Sequence, residues 1–243
     1  MLRFLKSGRL DLGPARIAWS VTRRPRPITK TREAAFTSPP YKLHLGPGAA
    51  WTKPDDKWLT VDIDPDRGDI VADFHEFDGF PLDDETVEAI YASHTFEHIS
   101  MYRFPRVLSE CHRVLRPGGV LRIVVPDPVA SIREYLAGND GFPLFVRRRE
   151  RAKRVEGLDL TLFECLKGDF VSRNHQPELL GEKLAHQNAW DFEAMRADLV
   201  RAGFENVRRA DFQDIGSPDF AFEGTYPSEA NESDRSLYVE AVK

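Results

Sequence analysis

Polar side chains capable of chemistry recur in this chain just after short apolar runs. Asp62 follows Trp58–Val61, Asp73 follows Ile70–Ala72, Ser93-His94 follows Val87–Ala92, and Asp127 follows Val120–Pro126. A glycine turn, Gly46-Pro47-Gly48, follows Lys42–Leu45 in the same way. Glycine there lets backbone N–H groups approach a ligand without a Cβ in between. A carboxylate about 20 residues beyond such a turn is placed to accept hydrogen bonds from ribose hydroxyls. Asp62 fits, at slightly shorter spacing, and Asp64 is the rival acid. Histidine titrates near neutrality and can act as a general base, so His94 is the first candidate. His186 and His175 are others. A dinucleotide would need a third glycine and a helix N-terminus for its pyrophosphate. Residues 46–57 hold Pro54 and leave no room for a full helix. NAD and FAD are therefore disfavoured, and a nucleoside ligand without phosphate fits better.

These groups must be positioned by strands. The apolar runs at 42–45, 58–63, 69–73, 87–92 and 120–126 read as strands. The last is β-branched and nearly continuous, as in the centre of a parallel sheet. Val207–Phe212 and Ser236–Val242 complete seven. Helical spacing predicts one helix over 104–115, stopped by Arg116-Pro117-Gly118-Gly119, another after Asp127, and a third over 191–202 capped by Asp191 and Gly203. Asp64-Pro65-Asp66-Arg67-Gly68 is turn chemistry, so the second crossover helix is absent or very short as well. The expected fold is α/β: a doubly wound, mostly parallel, seven-stranded Rossmann-like sheet with shortened first crossovers. Ligands of such sheets bind outside the strands' carboxyl ends, where the polar groups above fall. Residues 138–185 interrupt the alternation and read as a helical insertion or lid within a domain spanning 41–243.

The chain has 243 residues, 41% hydrophobic and 30% charged, as expected of a globular domain with a sizeable core. Two cysteines make no disulfide framework, which points to a reducing cytoplasm. No apolar run is long enough to span a membrane. The net charge of −5 is uneven: residues 1–40 carry nine basic residues against two acids. Such an arm could touch nucleic acid or an anionic membrane surface. A solvated, partly disordered leader is the preferred reading, and no nucleic-acid partner is expected. Nothing in the pattern specifies an oligomeric state.

Taken in order, the motifs resemble those of the class I S-adenosylmethionine-dependent methyltransferases, small-molecule branch. Leu45-Gly46-Pro47-Gly48 looks like their first motif, without its usual acid and third glycine. Val61-Asp62-Ile63 resembles the ribose-binding strand end, and Ala72-Asp73-Phe74 with Phe80-Pro81-Leu82 the adenine segment. Ser93-His94-Thr95-Phe96-Glu97-His98-Ile99, Arg113–Gly119 and Ser236–Ala241 are similar to the later motifs. The likeness is good over 42–127 and looser over 190–243. By resemblance Gly46, Pro47 and Gly48 face the methionine end of S-adenosylmethionine, Asp62 and Ile63 the ribose, Asp73 and Phe74 the adenine, with Ser93 beside them. Phe74 serves equally well as core. The branch with S-H-x-x-E-H-I is often met in surface-polysaccharide and sugar assembly, which suggests a glycan or small-metabolite acceptor.

Methyl transfer to a hydroxyl gains from a base, so His94 is the expected catalytic residue, with Asp127 placed to orient it or a substrate hydroxyl and His186 the rival. His94-Thr95-Phe96-Glu97-His98 also spells H-x-x-E-H, known from one group of zinc proteases, but it starts at a strand end. It is similar to the metal segment of some metal-dependent O-methyltransferases, with His94 in place of an acid. An interior Glu–His pair capping the loop is preferred over a divalent metal. The basic run Arg147–Arg154 reads either as a solvated helix face or as a contact for an anionic substrate. The expected activity is therefore O-methyl transfer. A catalytically silent nucleoside-binding module is the alternative and an NAD-linked oxidoreductase the third choice.

Overall fold

The computed structural model of the chain describes residues 7–12, 15–20, 30–31, 36–171, 185–225 and 234–243, the first three segments by backbone alone. His175, much of the basic arm and the end of the insertion lie outside the described residues.

An eight-stranded sheet forms the centre. Its strands are β3 (Lys30–Thr31), β4 (Tyr41–Leu45), β5 (Trp58–Asp62), β6 (Ile70–Val71), β7 (Val87–Ser93), β8 (Leu115–Pro126), β9 (Glu205–Ala210) and β10 (Ser236–Val242). They lie in the order β3-β6-β5-β4-β7-β8-β10-β9. Strands β6, β5, β4, β7 and β8 are parallel, β10 runs antiparallel to both neighbours, and β3 adds an antiparallel edge to the seven expected strands. The sheet order reverses at β4, where β5 lies on one side and β7 on the other. That is the crevice where open α/β sheets bind ligands. Strands β1 (Ser7–Leu12) and β2 (Ala15–Ser20) pair as a separate antiparallel ribbon in the basic arm, where sequence pattern predicts no strand.

The first two crossovers contain no helix. The Asp64–Gly68 turn closes with Arg67 N–H and Gly68 N–H both donating to the Asp64 carbonyl. Strand β6 is shorter than its apolar run because Asp69, at its entry, turns its carboxylate back onto the Thr60 amide (2.8 Å) and the Thr60 hydroxyl (2.9 Å).

Helix α1 (Phe104–Val114) buries Phe104, Val107, Leu108, Cys111 and Val114, the face that its periodicity predicts. Helix α5 (Phe192–Arg201) starts at Asp191, whose carboxylate accepts from the Ala194 amide at 2.8 Å, and it buries Met195 and Leu199. Together they cover Leu43, Leu45, Val61, Ile90 and Ile123 on one face of the sheet. Among the described residues, the first two crossovers supply no helix to the opposite face. Trp58, Tyr91, Tyr238, Phe220 and Phe222 fill it, with Trp51 against them. Aromatic rings bury the most area per residue, so a loop can do there what a helix would otherwise do.

Arg116–Gly119 does end α1, yet the chain passes directly into β8. The four residues loop out as a bulge between the pairs Val87↔Leu115 and Ala89↔Val120. Gly118 is left-handed (φ +78°), and its N–H donates to the Lys243 carbonyl (2.7 Å).

The insertion is helical as expected over its described part. It holds α3 (Pro143–Glu156) and α4 (Leu162–Lys167), between α2 (Pro128–Leu136) and the undescribed stretch. Phe142, Leu144, Phe145, Cys165 and Leu166 form its own small core. Within the basic run, Arg148 binds Asp169 (2.5 Å) and the Cys165 carbonyl (2.6 Å), and Arg149 binds Asp140 (2.5 Å). These two arginines hold the insertion together. Cys111 and Cys165 are both buried free thiols.

Candidate functional site

Strand register brings the expected site residues to one level. Leu45 is opposite Val61 on β5 and Ala92 on β7. Gly46, Asp62 and Ser93 therefore emerge side by side at the carboxyl ends of three adjacent strands. Asp73 follows the end of β6 and Asp127 the end of β8.

The glycine turn is constrained at Gly46. Its φ is +63°, its N–H donates to the Val61 carbonyl (2.8 Å), and a Cβ there would collide with the Thr95 side chain. Thr95 is itself fixed, its hydroxyl donating to the Leu45 carbonyl at 2.9 Å. Pro47 is buried. Gly48 is also left-handed (φ +68°) but exposed, with open space where a Cβ would stand. The turn thus presents bare backbone to the crevice.

Asp62 is buried. One carboxylate oxygen accepts from the Asp64 amide (2.9 Å), and burial raises the pKa of the acid above its ordinary value. Hydroxyl donors from a ligand would relieve that desolvation. Asp64 is engaged elsewhere: it accepts from the Asp66 amide (2.9 Å) and pairs with Arg67 (3.0 Å). Ile63 is half-buried beside it. Asp73 accepts from the His75 amide (3.0 Å), and half-buried Phe74 packs edge-on against Phe77 at 5.2 Å. The Ser93 hydroxyl is buried, with no hydrogen-bond partner among the described residues. A bare glycine turn, an under-solvated acid and an orphaned hydroxyl on one rim fit a nucleoside-type cofactor such as S-adenosylmethionine.

His94 follows Ser93 with φ +48°, a conformation that costs a non-glycine residue about 1–3 kcal/mol. Its Nδ1 lies 3.2 Å from Glu97 Oε1 and its Nε2 3.1 Å from Ser236 Oγ. Glu97, on a single 3-10 turn (Phe96–His98), is 1% exposed. Burial alone would raise its pKa, but the His94 hydrogen bond and the charges of His94, His98 and His186 hold it down at about 2. An interior Glu–His pair is thus present, as the H-x-x-E-H spacing suggests. Ser236 was not legible, since it lies 142 residues away and is delivered by the sheet order alone.

One expected role needs correction. Asp127 does not orient His94; that position belongs to Glu97. One Asp127 oxygen caps α2, accepting from Val129 (3.0 Å) and Ala130 (3.3 Å), and the other pairs with Arg209 (3.0 Å). His186, the rival base, comes to the same cluster as Glu97 and His98. It stacks edge-on to His98 with ring centroids 5.1 Å apart, and its Nδ1 hydrogen-bonds the Asp169 carbonyl (3.1 Å).

Residues 56–123, under a third of the chain, match the family model described as a methyltransferase domain. They span β5 to the middle of β8. No curated protein matches the chain in sequence. Among solved structures, a SAM dependent methyltransferase from Archaeoglobus fulgidus is similar at 16% identity, over 84% of this chain and 86% of that one, with a TM-score of 0.45. A possible histamine N-methyltransferase from Thermotoga maritima is similar at 15% identity over 84% and 82%, TM-score 0.40. An S-adenosylmethionine dependent methyltransferase from Mesorhizobium loti is similar at 16% over 84% and 90%, TM-score 0.39. Within the described residues no helix is long and apolar enough to cross a membrane. The match over 56–123, carried on this sheet order, supports a class I S-adenosylmethionine-dependent methyltransferase.

Proposed function

We propose that the chain transfers a methyl group from S-adenosylmethionine to a hydroxyl of a sugar or other small metabolite. The observation that carries this reading is the pairing of a cofactor-type rim with a positioned histidine: Gly46, Asp62 and Ser93 at one level, and His94 next in sequence, held by Glu97 and Ser236. Gly46–Gly48 would hold the methionine end of the cofactor, Asp62 the ribose hydroxyls, and Asp73 with Phe74 the adenine. When bound, the cofactor supplies an electrophilic methyl on a sulfonium. The rest falls to the protein: holding the acceptor oxygen in line and removing its proton.

His94 suits the second task. The anionic Glu97 carboxylate at Nδ1 keeps the proton on that nitrogen, so Nε2 is the basic one. Nε2 at 3.1 Å from Ser236 Oγ is the geometry of an imidazole accepting from an alcohol. Glu97 also stabilises the imidazolium that forms once Nε2 takes a proton. This division of labour favours an enzyme over a silent binding module. The strained φ of His94 points the same way, because strain persists where surrounding structure enforces it for function.

The hydroxyl acceptor and its sugar character rest on the S-H-x-x-E-H-I resemblance. A cytoplasmic setting and a lid role for 138–185 belong to the same reading. The test is transfer of a labelled methyl to hydroxyl-bearing glycans and metabolites. Label in ether-linked methyl, lost in His94→Ala, is expected. Label found only on amines would overturn the hydroxyl reading. In limited proteolysis, protection of 138–185 by cofactor plus acceptor is expected of a lid, and unchanged cutting would mark a fixed subdomain.

A further inference from the structure

Beside the proposed base, His98 and His186 have no task in the mechanism above, and Glu97 uses only one of its two carboxylate oxygens there. One ligand atom each from Glu97, His98 and His186 lies within 4.8 Å of the others, close enough for all to reach one ion. We propose that they form a binding site for a divalent transition-metal ion such as Zn²⁺, Mn²⁺ or Co²⁺.

Four observations carry it. First, the donor set is two imidazoles and a carboxylate, which suits a transition ion, whereas Mg²⁺ and Ca²⁺ prefer oxygen throughout. Second, the carboxylate has bonding capacity in hand. Glu97 is 1% exposed, one oxygen faces His94, and the other, Oε2, is buried with no hydrogen-bond partner among the described residues. A buried carboxylate oxygen left so carries a desolvation cost that a cation would remove. Third, both imidazoles are set in the tautomer that a metal needs. His98 Nδ1 lies 3.3 Å from the Ala185 carbonyl and His186 Nδ1 3.1 Å from the Asp169 carbonyl. A carbonyl can only accept, so Nδ1 carries the hydrogen and Nε2 the lone pair in each neutral ring. His98 Nε2 lies 3.9 Å from Glu97 Oε1. A metal-ligating histidine commonly donates its second N–H to a backbone carbonyl in this way. Fourth, the site is built from two distant segments fastened together. The amides of Gln187 (2.7 Å) and Asn188 (3.1 Å) donate to the Glu97 carbonyl, which pins the segment carrying His186 against the turn carrying Glu97 and His98.

Three protein ligands leave coordination positions open. Within the methyl-transfer reading, which this consequence alone rests on, an acceptor oxygen could take one of them next to His94. The binding site itself stands without that reading, so the test uses metal and protein only. Chelator-treated full-length chain is dialysed against Zn²⁺ or Co²⁺ and the metal per chain is counted. Co²⁺ absorption reports ligation, and thermal melts with and without metal report binding to the folded state. One ion per chain and a raised melting temperature are expected. Losing a direct ligand should weaken binding at least as much as losing an outer partner does, about 10–100-fold, in both His98→Ala and His186→Ala. The exposed-helix variant Glu193→Ala should bind as wild type does. The melting comparison in wild type needs no variant to fold. Absence of stoichiometric uptake by the wild-type chain overturns the proposal, as does equal uptake by folded His98→Ala and His186→Ala.

Discussion

Arg122, on β8, and Glu97, on the 3-10 turn at the sheet's carboxyl rim, are both buried charges, and their surroundings differ. Arg122, 0% exposed on β8, has five N–H donors and makes five hydrogen bonds. Nε donates to Glu223 (2.9 Å), Nη1 to Glu240 (2.8 Å) and the Asp214 carbonyl (3.1 Å), and Nη2 to Glu223 (2.6 Å) and the Asp211 carbonyl (3.0 Å). The two carboxylates are equally occupied. Glu223 takes Tyr91 Oη (3.0 Å) and the Gln213 amide (3.1 Å), and Glu240 takes Arg208 (2.7 Å) and the Gly216 amide (2.8 Å). Glu97 and Ser93, at the carboxyl rim, each keep a buried oxygen with no partner among the described residues, and His94 between them is strained. A saturated network locks β8, β10 and the Pro218–Gly224 turn together. The rim leaves two buried oxygens unpaired among the described residues.

The contrast can be broken by mutation. Arg122→Ala strands two buried carboxylates and should cost about 3–5 kcal/mol of stability in urea unfolding. A loss under about 1 kcal/mol would erase the distinction. His94→Ala should lower single-turnover methyl transfer about 10²–10⁴-fold while cofactor affinity holds. His186→Ala should do less to turnover. Full activity in His94→Ala would remove the general-base role. Asp62→Ala should weaken cofactor binding by about 1.5–3 kcal/mol, measured by calorimetry, with the fold kept. Asp64→Ala should do much less, because that acid serves its own turn; the reverse pattern would exchange the two assignments.

The smallest effect is on acid stability. Glu97 is held at about 2 against an ordinary 4.5, so the unfolded chain binds its proton first as pH falls. Its contribution is fully present above about 4.5 and is lost as pH falls towards about 2. The stability difference between wild type and Glu97→Gln, followed by denaturation at stepped pH, should therefore shrink across that window. A constant difference would mean that the pair is not charged in the folded state.

Local pattern made most of the sheet legible. Runs such as Val120–Val125 and Val87–Ala92 announce buried strands, and the polar residue ending each one falls on the sheet's carboxyl rim whatever the details of the crossovers. Helix ends carried by Asp191 and Gly203 were legible for the same reason. Residues whose partners come from afar were not. Ser236 reaches His94 only because β10 inserts beside β8, and His186 reaches His98 only because the insertion's return is pinned to the Glu97 carbonyl. Asp127 misled because a strand-end acid before Pro128 serves equally as a helix cap, and spacing cannot separate the two. The aromatic face was hidden too. Short crossovers signalled missing helices, but Trp51 of the first crossover and Phe222 of the Pro218–Gly224 turn, far apart in sequence, meet there over Trp58 of β5.

On the reading proposed above, the rim at Gly46, Asp62 and Ser93 takes a nucleoside cofactor that has no pyrophosphate. Calorimetric titration of the full chain with S-adenosylmethionine, S-adenosylhomocysteine and NAD tests it most directly. Saturable one-to-one binding of the first two, weakened in Asp62→Ala, and none of NAD is expected. Binding of NAD with neither of the others would contradict it.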